Sequence, residues 1–394
     1  MNTERHFIEP LDMLFLRGNK LFGDPGSFGE SLVPPWPSVA AGALRSALLV
    51  HKDIDPALFA KGKIADSELG TPERPGAFAL TAFQLARRHR LDAGDSEHVE
   101  PLYAPPADLV VYARSGGAPH IRMLRPRRLH DGIHCSQATP LLAVLAEDKR
   151  GKPEHGLWLT AAGWERYLAG EAIDPCKHLV SGACLWHVET RVGVGLDPAK
   201  RRAADGQLFS AQAVALRKAE HGGDGDRGFD VGFFAETTGA RLPKSLTLRL
   251  GGDGRGALSR RVKLRVPEPD YNALVRDRRC RLILTAPGIF ARGWLPTGIT
   301  GTGRDLRFDL HGVRGRLTCA AVSRAEVVSG FDVAKGGPKP AQRAAPTGSV
   351  YWIECLEATA ETLRSLAAHG LWSVPVENAA RRAEGFNRIT LAAC

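Results

Sequence analysis

Alternating apolar and polar positions predict many short strands along the chain. Apolar residues at every second position are typical of half-buried strands. The pattern predicts a first strand from Phe7 to Arg17, bent or edge-like at Pro10, because proline cannot donate a hydrogen bond to a neighbouring strand. Further strands are predicted at 185–196, 228–236, 245–250, 261–266, 281–285, 315–322, 349–354 and 387–391.

Two stretches have the features of helices. Ser38 is a suitable N-cap for a helix over 39–50. A second helix is predicted over 359–369, and Gly370 is placed to end it. Between these helices, residues from about 52 to 180 are polar and rich in Pro, Gly and Arg, with only a short strand and a short helix near 158–168. This region is therefore interpreted as a loop-rich insertion on a scaffold.

The order of elements indicates the fold class. Strand-helix-strand-strand-helix-strand occurs twice, which is typical of ferredoxin-like units. We predict an α+β fold of tandem ferredoxin-like (RRM-like) domains, at 1–270 with the insertion at about 52–180, and at 271–394. The 43 Gly and 26 Pro among 394 residues disfavour a helical bundle, because so many turn residues require short elements.

Charge points to a polyanionic partner. The formal net charge is +10 and the sequence pI is about 9.4, which favours nucleic acid or an anionic membrane surface. Arginine dominates the basic clusters, and its guanidinium group pairs with phosphate through two parallel hydrogen bonds. Because no apolar run approaches the roughly 20 residues of a membrane span, we expect a cytoplasmic protein that acts away from the membrane. Seven scattered cysteines suit a reducing compartment.

Four blocks of sequence resemble one known family. Residues 34–49, Pro-Pro-Trp-Pro-Ser-Val-Ala-Ala-Gly-Ala-Leu-Arg-Ser-Ala-Leu-Leu, are similar to the first helix of the CRISPR RAMP superfamily, and within it to the third-subunit family of the type III-B (Cmr) complex. Residues 15–22 resemble the strand and loop before that helix. Residues 189–210 resemble a central Arg-Val-Gly block, and 330–352 resemble the most specific, C-terminal block. The blocks occur in the expected order over the whole chain.

The resemblance implies a non-catalytic, cofactor-free subunit that caps the 5′ handle of the guide RNA (crRNA). Its implied partners are the crRNA, the large polymerase/cyclase-like Cmr subunit and the first backbone subunit, which cleaves target RNA, with target RNA nearby. One departure concerns the glycine-rich loop with which the family often ends. Here 381–388 contain a single glycine, so side chains of Arg381 and Arg382 would replace backbone contacts to phosphate.

Candidate RNA ligands occupy several settings. Arg45 lies one turn after Gly42, which has no side chain to block a close neighbour. Residues 122–130 form the densest basic cluster, and 249–265 form a second basic stretch. Each setting also suits an ordinary solvated surface, and Phe331 and Phe386, the best-placed stacking candidates, also suit a core. The predicted RNA-binding set is Arg17, Lys20, Arg45, Arg122, Arg125, Arg127, Arg128, Arg191, Lys335, Lys339, Arg343, Arg381 and Arg382.

Two other functions remain open from the residues. His130 and His134 suit acid-base ribonuclease chemistry, so a RAMP-type endoribonuclease that processes the guide precursor is one alternative. The other is a scaffold whose basic face binds acidic protein partners and touches RNA little. Cysteine-histidine pairs at 176–178 and 184–187 approach a zinc site, but their spacing does not match a usual zinc finger, and no metal is predicted.

Overall fold

The computed structural model describes residues 3–18, 28–89, 98–114, 117–130, 135–145, 152–197, 199–218, 228–333 and 335–394. The helices in these ranges are α1 (Pro37–His51), α2 (Pro56–Ala60), α3 (Ala161–Ala169), α4 (Pro175–His178), α5 (Tyr271–Asp277), α6 (Ala360–His369) and α7 (Ala379–Ala383). None of these helices has the length and hydropathy of a membrane span.

The strands in the same ranges are β1 (Thr3–Pro10), β2 (Phe28–Gly29), β3 (Ala79–His89), β4 (His98–Pro101), β5 (Leu109–Arg114), β6 (Gly117–Met123), β7 (Arg125–Arg127), β8 (Leu142–Val144), β9 (Leu157–Leu159), β10 (Leu179–Ser181), β11 (Trp186–Asp197), β12 (Arg202–Leu216), β13 (Phe229–Thr238), β14 (Ser245–Arg249), β15 (Gly256–Arg261), β16 (Arg279–Leu284), β17 (Ile299–Thr300), β18 (Arg307–Leu310), β19 (Val313–Ala321), β20 (Glu326–Val328), β21 (Phe331–Asp332), β22 (Gly337–Pro338), β23 (Gln342–Ala344), β24 (Val350–Glu357) and β25 (Ile389–Ala392). Helices and strands are thus mixed, which confirms the α+β class.

The chain forms two compact units. Unit 1 contains 1–100, 183–264 and 327–342, and unit 2 contains 101–182, 265–326 and 343–394. The predicted insertion at 52–180 is therefore shared between them, and most of it belongs to unit 2. The predicted boundary near residue 270 lies close to the passage from unit 1 to unit 2 at 264–265. The two domain ranges stay a prediction.

Unit 1 is built on a six-stranded sheet in the order β14-β15-β1-β13-β3-β4. Helix α1 packs on this sheet through β3 and β14, and Leu44 and Leu48 are buried because residues four apart lie on the same helical face. The prediction that Ser38 caps this helix is wrong. The helix begins at Pro37, whose fixed φ suits the first helical position and whose missing N–H costs nothing there.

A long hairpin of β11 and β12 also belongs to unit 1. Its strands pair from Trp186–Leu216 outward to Asp197–Arg202, and β2 adds to β12 as a short parallel strand. Near the base, Phe15 packs on Ala211 and Ala213. The predicted strand at 261–266 is wrong, because β15 ends at Arg261 and the chain continues without regular structure.

Unit 2 has a second six-stranded sheet, in the order β17-β18-β19-β24-β16-β25. One face packs Leu282, Ile353 and Leu317 against α5 and α6. The opposite face, with Trp352, is covered by residues of 101–182, among them Trp164. We call the part of 101–182 that packs on this face the covering layer. A region predicted as a loop-rich insertion thus closes a hydrophobic core.

Helix α6 and its ends agree with the prediction. Thr359 is the N-cap, and its side-chain oxygen accepts a hydrogen bond from the Thr362 N–H at 3.1 Å. Gly370 ends the helix with φ of 71°, a conformation that glycine adopts without strain. The predicted strand at 387–391 corresponds to β25, which pairs with β16 at the sheet edge.

Candidate nucleic-acid interface

The basic cluster predicted at 122–130 lies on the surface of unit 2. Arg125 and Arg127 occupy alternate positions of β7, so both side chains leave the same face of the strand. Within the described residues, no carboxylate forms an ion pair with Arg125, Arg127 or Arg128. All members of the cluster, which we call the β7 cluster, are exposed: Arg122, Arg125, Arg127, Arg128 and His130.

The charges of the β7 cluster are therefore available to an external anion. Arg122 differs, because its Nη1 donates to the carbonyl of Ile121 at 3.3 Å. Like charges held close together on a strand repel one another, and a bound polyanion removes that repulsion. The geometry of this cluster suits a phosphate backbone, and it includes four of the predicted RNA-binding residues.

Arg45 lies at the border between the core and the surface of unit 1. It is half-buried on α1, beside the buried Leu44, and it makes contacts within the protein. Gly42 is exposed, and a Cβ atom at that position would meet no atom within 4 Å. Helix α1 thus carries an exposed glycine one turn before a half-buried arginine.

Arg17 is exposed in unit 1, but its charge is partly compensated. Its Nη2 lies 3.8 Å from Oδ1 of Asp253. Both side chains are about half exposed, so this pair contributes little to stability and can open when a stronger ligand binds. Lys20 lies outside the described residues.

Arg191 lies on the exposed part of the β11–β12 hairpin. Its Nη2 donates to Oε2 of Glu189 at 2.5 Å. Hydrogen bonds from His187 and Arg191 lower the pKa of Glu189 below its usual value, so the carboxylate remains charged beside the guanidinium. Arg191 is therefore a compensated cation, unlike the arginines of β7.

A second, smaller hairpin, β21 and β22, carries two of the predicted lysines. Lys335 is exposed, whereas Lys339 is half-buried, with its N–H bound to the carbonyl of Gly330 at 2.8 Å. Phe331 is 61% exposed on this hairpin. Arg343 is exposed and belongs to unit 2. The structure places Arg17, Arg45, Arg191, Lys335 and Lys339 in unit 1, and the β7 cluster and Arg343 in unit 2.

Comparison with known proteins identifies the family. The model of the family "CRISPR-associated protein (Cas_Cmr3)" matches residues 6–393. The chain belongs to the Cas_Cmr3 family. This result confirms the resemblance to the third subunit of type III-B Cmr complexes that the four sequence blocks indicated. No curated protein sequence matches the chain.

Two solved structures contain chains similar to this Cas_Cmr3 protein. One is the cryo-EM structure of the Type III-B Cmr-beta bound to cognate target RNA, at 13% identity and a TM-score of 0.43, covering 89% of this chain and 86% of that chain. The other is the Type III-B Cmr-beta bound to cognate target RNA and AMPPnP, state 1, at 13% identity and a TM-score of 0.45, covering 99% of both chains. The family assignment follows from the family-model match alone.

The central Arg-Val-Gly block of this Cas_Cmr3 chain has a structural explanation. Gly193 lies on β11 opposite Phe209 of β12, and Gly195, where the strand register shifts, lies against the side chain of Gln207. A Cβ atom at Gly193 would lie 2.3 Å from Cζ of Phe209. The two glycines therefore leave room for the side chains of Phe209 and Gln207. An aromatic ring that covers a glycine on the neighbouring strand stabilises that glycine.

The C-terminal stretch of the Cas_Cmr3 chain is packed into unit 2. Arg381 is 5% exposed, its Nη1 donates to Oε2 of Glu384 at 2.9 Å, and its guanidinium lies over the ring of Phe386. Phe386 is itself fully buried, so its use as a base-stacking platform is wrong. Arg381 stays in the interior, because moving its guanidinium to the surface would leave the buried Glu384 carboxylate without a counter-charge. We leave Arg381 out of the proposed interface. Arg382 is half-buried and stays a prediction.

Sequence reasoning missed a buried ionic network in unit 2. Arg281 donates to Oδ2 of Asp108 at 2.7 Å, to the carbonyl of Tyr167 at 3.0 Å and to the carbonyl of Ala393 at 2.6 Å. The Tyr167 hydroxyl donates to Oδ1 of Asp108 at 2.7 Å. Burial and the Asp108 charge raise the pKa of Tyr167 well above its usual value. This network fixes the covering layer to the sheet.

Sequence reasoning also missed three exposed arginines on strands of unit 2: Arg279, Arg307 and Arg316. Arg316 lies in the predicted strand 315–322, whereas Arg279 lies two residues before the predicted strand 281–285. Their mutual placement depends on strand register, which a single sequence does not contain.

The residues considered for catalysis and metal binding are dispersed. His130 is exposed on the β7 cluster, and His134 lies outside the described residues. Cys176 and Cys184 are exposed, and Nδ1 of His178 accepts a hydrogen bond from the Asp174 N–H at 3.1 Å. In the described ranges, no group of three or more His, Cys, Asp or Glu residues could hold a metal ion.

Proposed function

We propose that this chain is the type III-B Cmr subunit that binds and caps the 5′ handle of the crRNA without cleaving it. Membership of the Cas_Cmr3 family supports a place in a Cmr complex. The observation that carries RNA binding is the β7 cluster, in which Arg125, Arg127 and Arg128 are exposed and have no carboxylate partner among the described residues. Arginines of this kind bind phosphate through charge-assisted, paired hydrogen bonds.

The α1 surface contributes a second contact in this proposal. Arg45, with the bare backbone at Gly42, would approach the handle closely, while Arg17 exchanges its weak pairing with Asp253 for a phosphate. Lys20, Arg191, Lys335, Lys339, Arg343 and Arg382 are retained as predicted RNA ligands. The proposed protein partners are the large polymerase/cyclase-like subunit and the first backbone subunit.

The proposal also includes the fold of each unit. The central strands of unit 1 follow the order β15-β1-β13-β3, and those of unit 2 follow β25-β16-β24-β19. Numbered along the chain within each unit, both are fourth, first, third and second, which is the order of a ferredoxin-like sheet. This order supports tandem ferredoxin-like units in which α1 and α6 each supply one of the two expected helices.

The test is RNA protection by the purified chain together with the large subunit. A guide RNA with an intact 5′ handle is compared with a scrambled-handle RNA. The variants are wild type, Arg45→Ala and the double variant Arg127→Gln/Arg128→Gln. The matched control is Arg276→Gln/Arg364→Gln, which removes two exposed arginines from α5 and α6.

We expect handle-selective protection in wild type and in the control, and weaker protection in Arg45→Ala and in the double variant, with the RNA left uncut. Equal protection of both RNAs by every variant would favour a protein-facing scaffold. A discrete cut product that is lost in His130→Ala would instead identify an endoribonuclease.

A further inference from the structure

Four charged residues form a line across four strands of the unit 2 sheet. Arg307 of β18 pairs with Arg316 of β19, Arg316 pairs with Glu354 of β24, and Glu354 pairs with Arg279 of β16. Paired residues on neighbouring strands project from the same face of a sheet. We call these four residues the transverse row. Since neighbouring strands are about 4.8 Å apart, the row is about 14 Å long.

The transverse row begins where the covering layer ends. Arg279 and Arg281 are two residues apart on β16 and therefore point to the same face. Arg281 is buried beneath the covering layer, but Arg279, Arg307 and Arg316 are exposed. The uncovered part of this sheet face thus carries three exposed arginines and the half-buried Glu354 rather than apolar residues.

The β7 cluster belongs to the same unit as the row. Strand β7 pairs with β8, and β8 contacts β19, the strand that carries Arg316. The row and the β7 cluster therefore lie in the same part of unit 2.

Positive charge prevails on this surface. Arg307 has a partner, because its Nη2 lies 3.1 Å from Oδ2 of Asp305. In the described part of the chain, Arg279 and Arg316 have no ion-pair partner. Arg307 and Arg316 stand directly opposite each other, and like charges in this arrangement destabilise a sheet unless an anion lies between them. The row is therefore better suited to a bound polyanion than to bare solvent.

We propose that the transverse row binds the phosphate backbone of single-stranded RNA independently of base sequence. Three of the four side chains in the row are guanidinium groups, and each can donate paired hydrogen bonds to a phosphate of the RNA backbone. The row contains no aromatic side chain on which a base could stack, so it provides affinity rather than sequence recognition. The inference rests on the proposed function, in which this chain binds guide RNA, and adds a contact surface to it.

The experiment measures how RNA binding depends on salt. Full-length wild type, Arg279→Gln/Arg316→Gln and the control Arg276→Gln/Arg364→Gln bind a labelled oligouridylate, followed by fluorescence anisotropy between about 50 and 200 mM NaCl. Each lost phosphate contact to a single strand lowers the slope of log affinity against log salt by about 0.7. We expect the row variant to lose about 1.4 from this slope, so that its affinity deficit shrinks about sevenfold over this salt range.

The control distinguishes a local effect of the row on RNA binding from the general effect of removing two positive charges. Arg276 is 74% exposed on α5, which packs on the opposite face of the same sheet. An unchanged slope in the row variant would overturn the proposal, as would equal losses in the row variant and the control. Binding of a polyglutamate peptide that depends on the row, with RNA binding unaffected, would assign the surface to an acidic protein and overturn it as well.

Two further variants test whether a loss of RNA binding in the double variant is caused by misfolding. Arg316→Gln alone removes the charge opposite both Arg307 and Glu354, one like and one unlike, so it is expected to weaken RNA binding with little change in the thermal unfolding midpoint. Glu354→Gln removes the carboxylate from the row, so it is expected to strengthen RNA binding. Neither variant touches the residues changed to test handle protection. Loss of the row effect with intact handle selectivity would therefore refute this inference and leave the proposed function standing.

Discussion

Arg279 and Arg281 stand two residues apart on the same strand and face, yet they have opposite environments. Arg281 is enclosed by Asp108, Tyr167 and the backbone carbonyl of Ala393, whereas Arg279 faces solvent. The alternating pattern correctly predicts a strand here, but the burial of Arg281 is decided by the covering layer, more than a hundred residues away in sequence. For the same reason a count of arginines could not reveal that Arg381 is buried.

The Arg281 network leads to a stability prediction. Arg281→Met should lower the free energy of unfolding by about 3–5 kcal/mol, because it leaves the buried Asp108 carboxylate uncompensated. Urea unfolding followed by tryptophan fluorescence measures this, with Arg279→Met as the matched control, expected within about 0.5 kcal/mol of wild type. Similar losses in both variants would show that the buried pair has no special role.

His6 makes unit 1 sensitive to acid. Burial, with a smaller effect of the Arg261 charge, lowers the pKa of His6 from 6.5 to about 4, and its Nδ1 lies 2.9 Å from the Ser259 hydroxyl. A histidine whose folded pKa is depressed stabilises the fold fully above its unfolded pKa and loses that contribution as pH falls from 6.5 towards 4.

We therefore expect wild type to lose about 2 kcal/mol of unfolding free energy between pH 7 and pH 5 through His6 alone. Urea titrations at the two pH values measure the loss, and His6→Gln should show a loss that is smaller by that amount. An identical pH dependence in the two proteins would exclude His6 as the group responsible.

At the scale of elements, most of the predicted strands and both predicted helices exist, because their apolar periodicity is strong. The elements that were predicted wrongly or not at all have local causes. Strand β12 carries Ala, Gly and polar residues on an exposed hairpin, so it shows little periodicity. Helix α1 begins at Pro37 because proline is favoured at the first helical position, and its N-cap, Trp36, makes no side-chain cap hydrogen bond. The transverse row could not be predicted, because pairing across β18, β19, β24 and β16 is decided by tertiary structure.

A substitution at Gly42 on α1 is expected to affect stability and RNA binding in opposite directions. A Cβ at this exposed position meets nothing, so Gly42→Ala should raise the free energy of unfolding by about 0.5–1 kcal/mol through helix propensity. The same variant should weaken handle protection if RNA approaches the bare backbone there. Urea unfolding and the protection assay measure the two effects.

The control for Gly42 is another helical glycine. A Cβ at Gly163 on α3 would lie 2.7 Å from Cβ of His178 and 2.9 Å from its carbonyl oxygen, so Gly163→Ala should destabilise unit 2. Stronger handle protection by Gly42→Ala than by wild type would contradict close approach of RNA at α1.

At the scale of the whole molecule, the chain passes between the two compact units several times. The polar composition of residues 52–180, rich in Pro, Gly and Arg, indicated a loop-rich insertion. Its buried aromatic residues, Tyr103, Trp164 and Tyr167, nevertheless stack on one another and close a core of unit 2. Composition reports how regular a segment is, but not which surface it covers.

This interleaving predicts the behaviour of a fragment. Residues 271–394 contain the sheet of unit 2 but lack the covering layer, so Ile283, Val350 and Trp352 would be exposed and Arg281 would lose Asp108. We expect the isolated fragment to bind the dye ANS and to lack a near-UV circular dichroism signal, as loosely packed states do. Co-expression with residues 101–182 should restore both properties, because that segment supplies the buried aromatic residues and the carboxylate. A fragment that unfolds cooperatively by itself would instead show that α5 and α6 suffice to hold the sheet, and would support 271–394 as an independent domain.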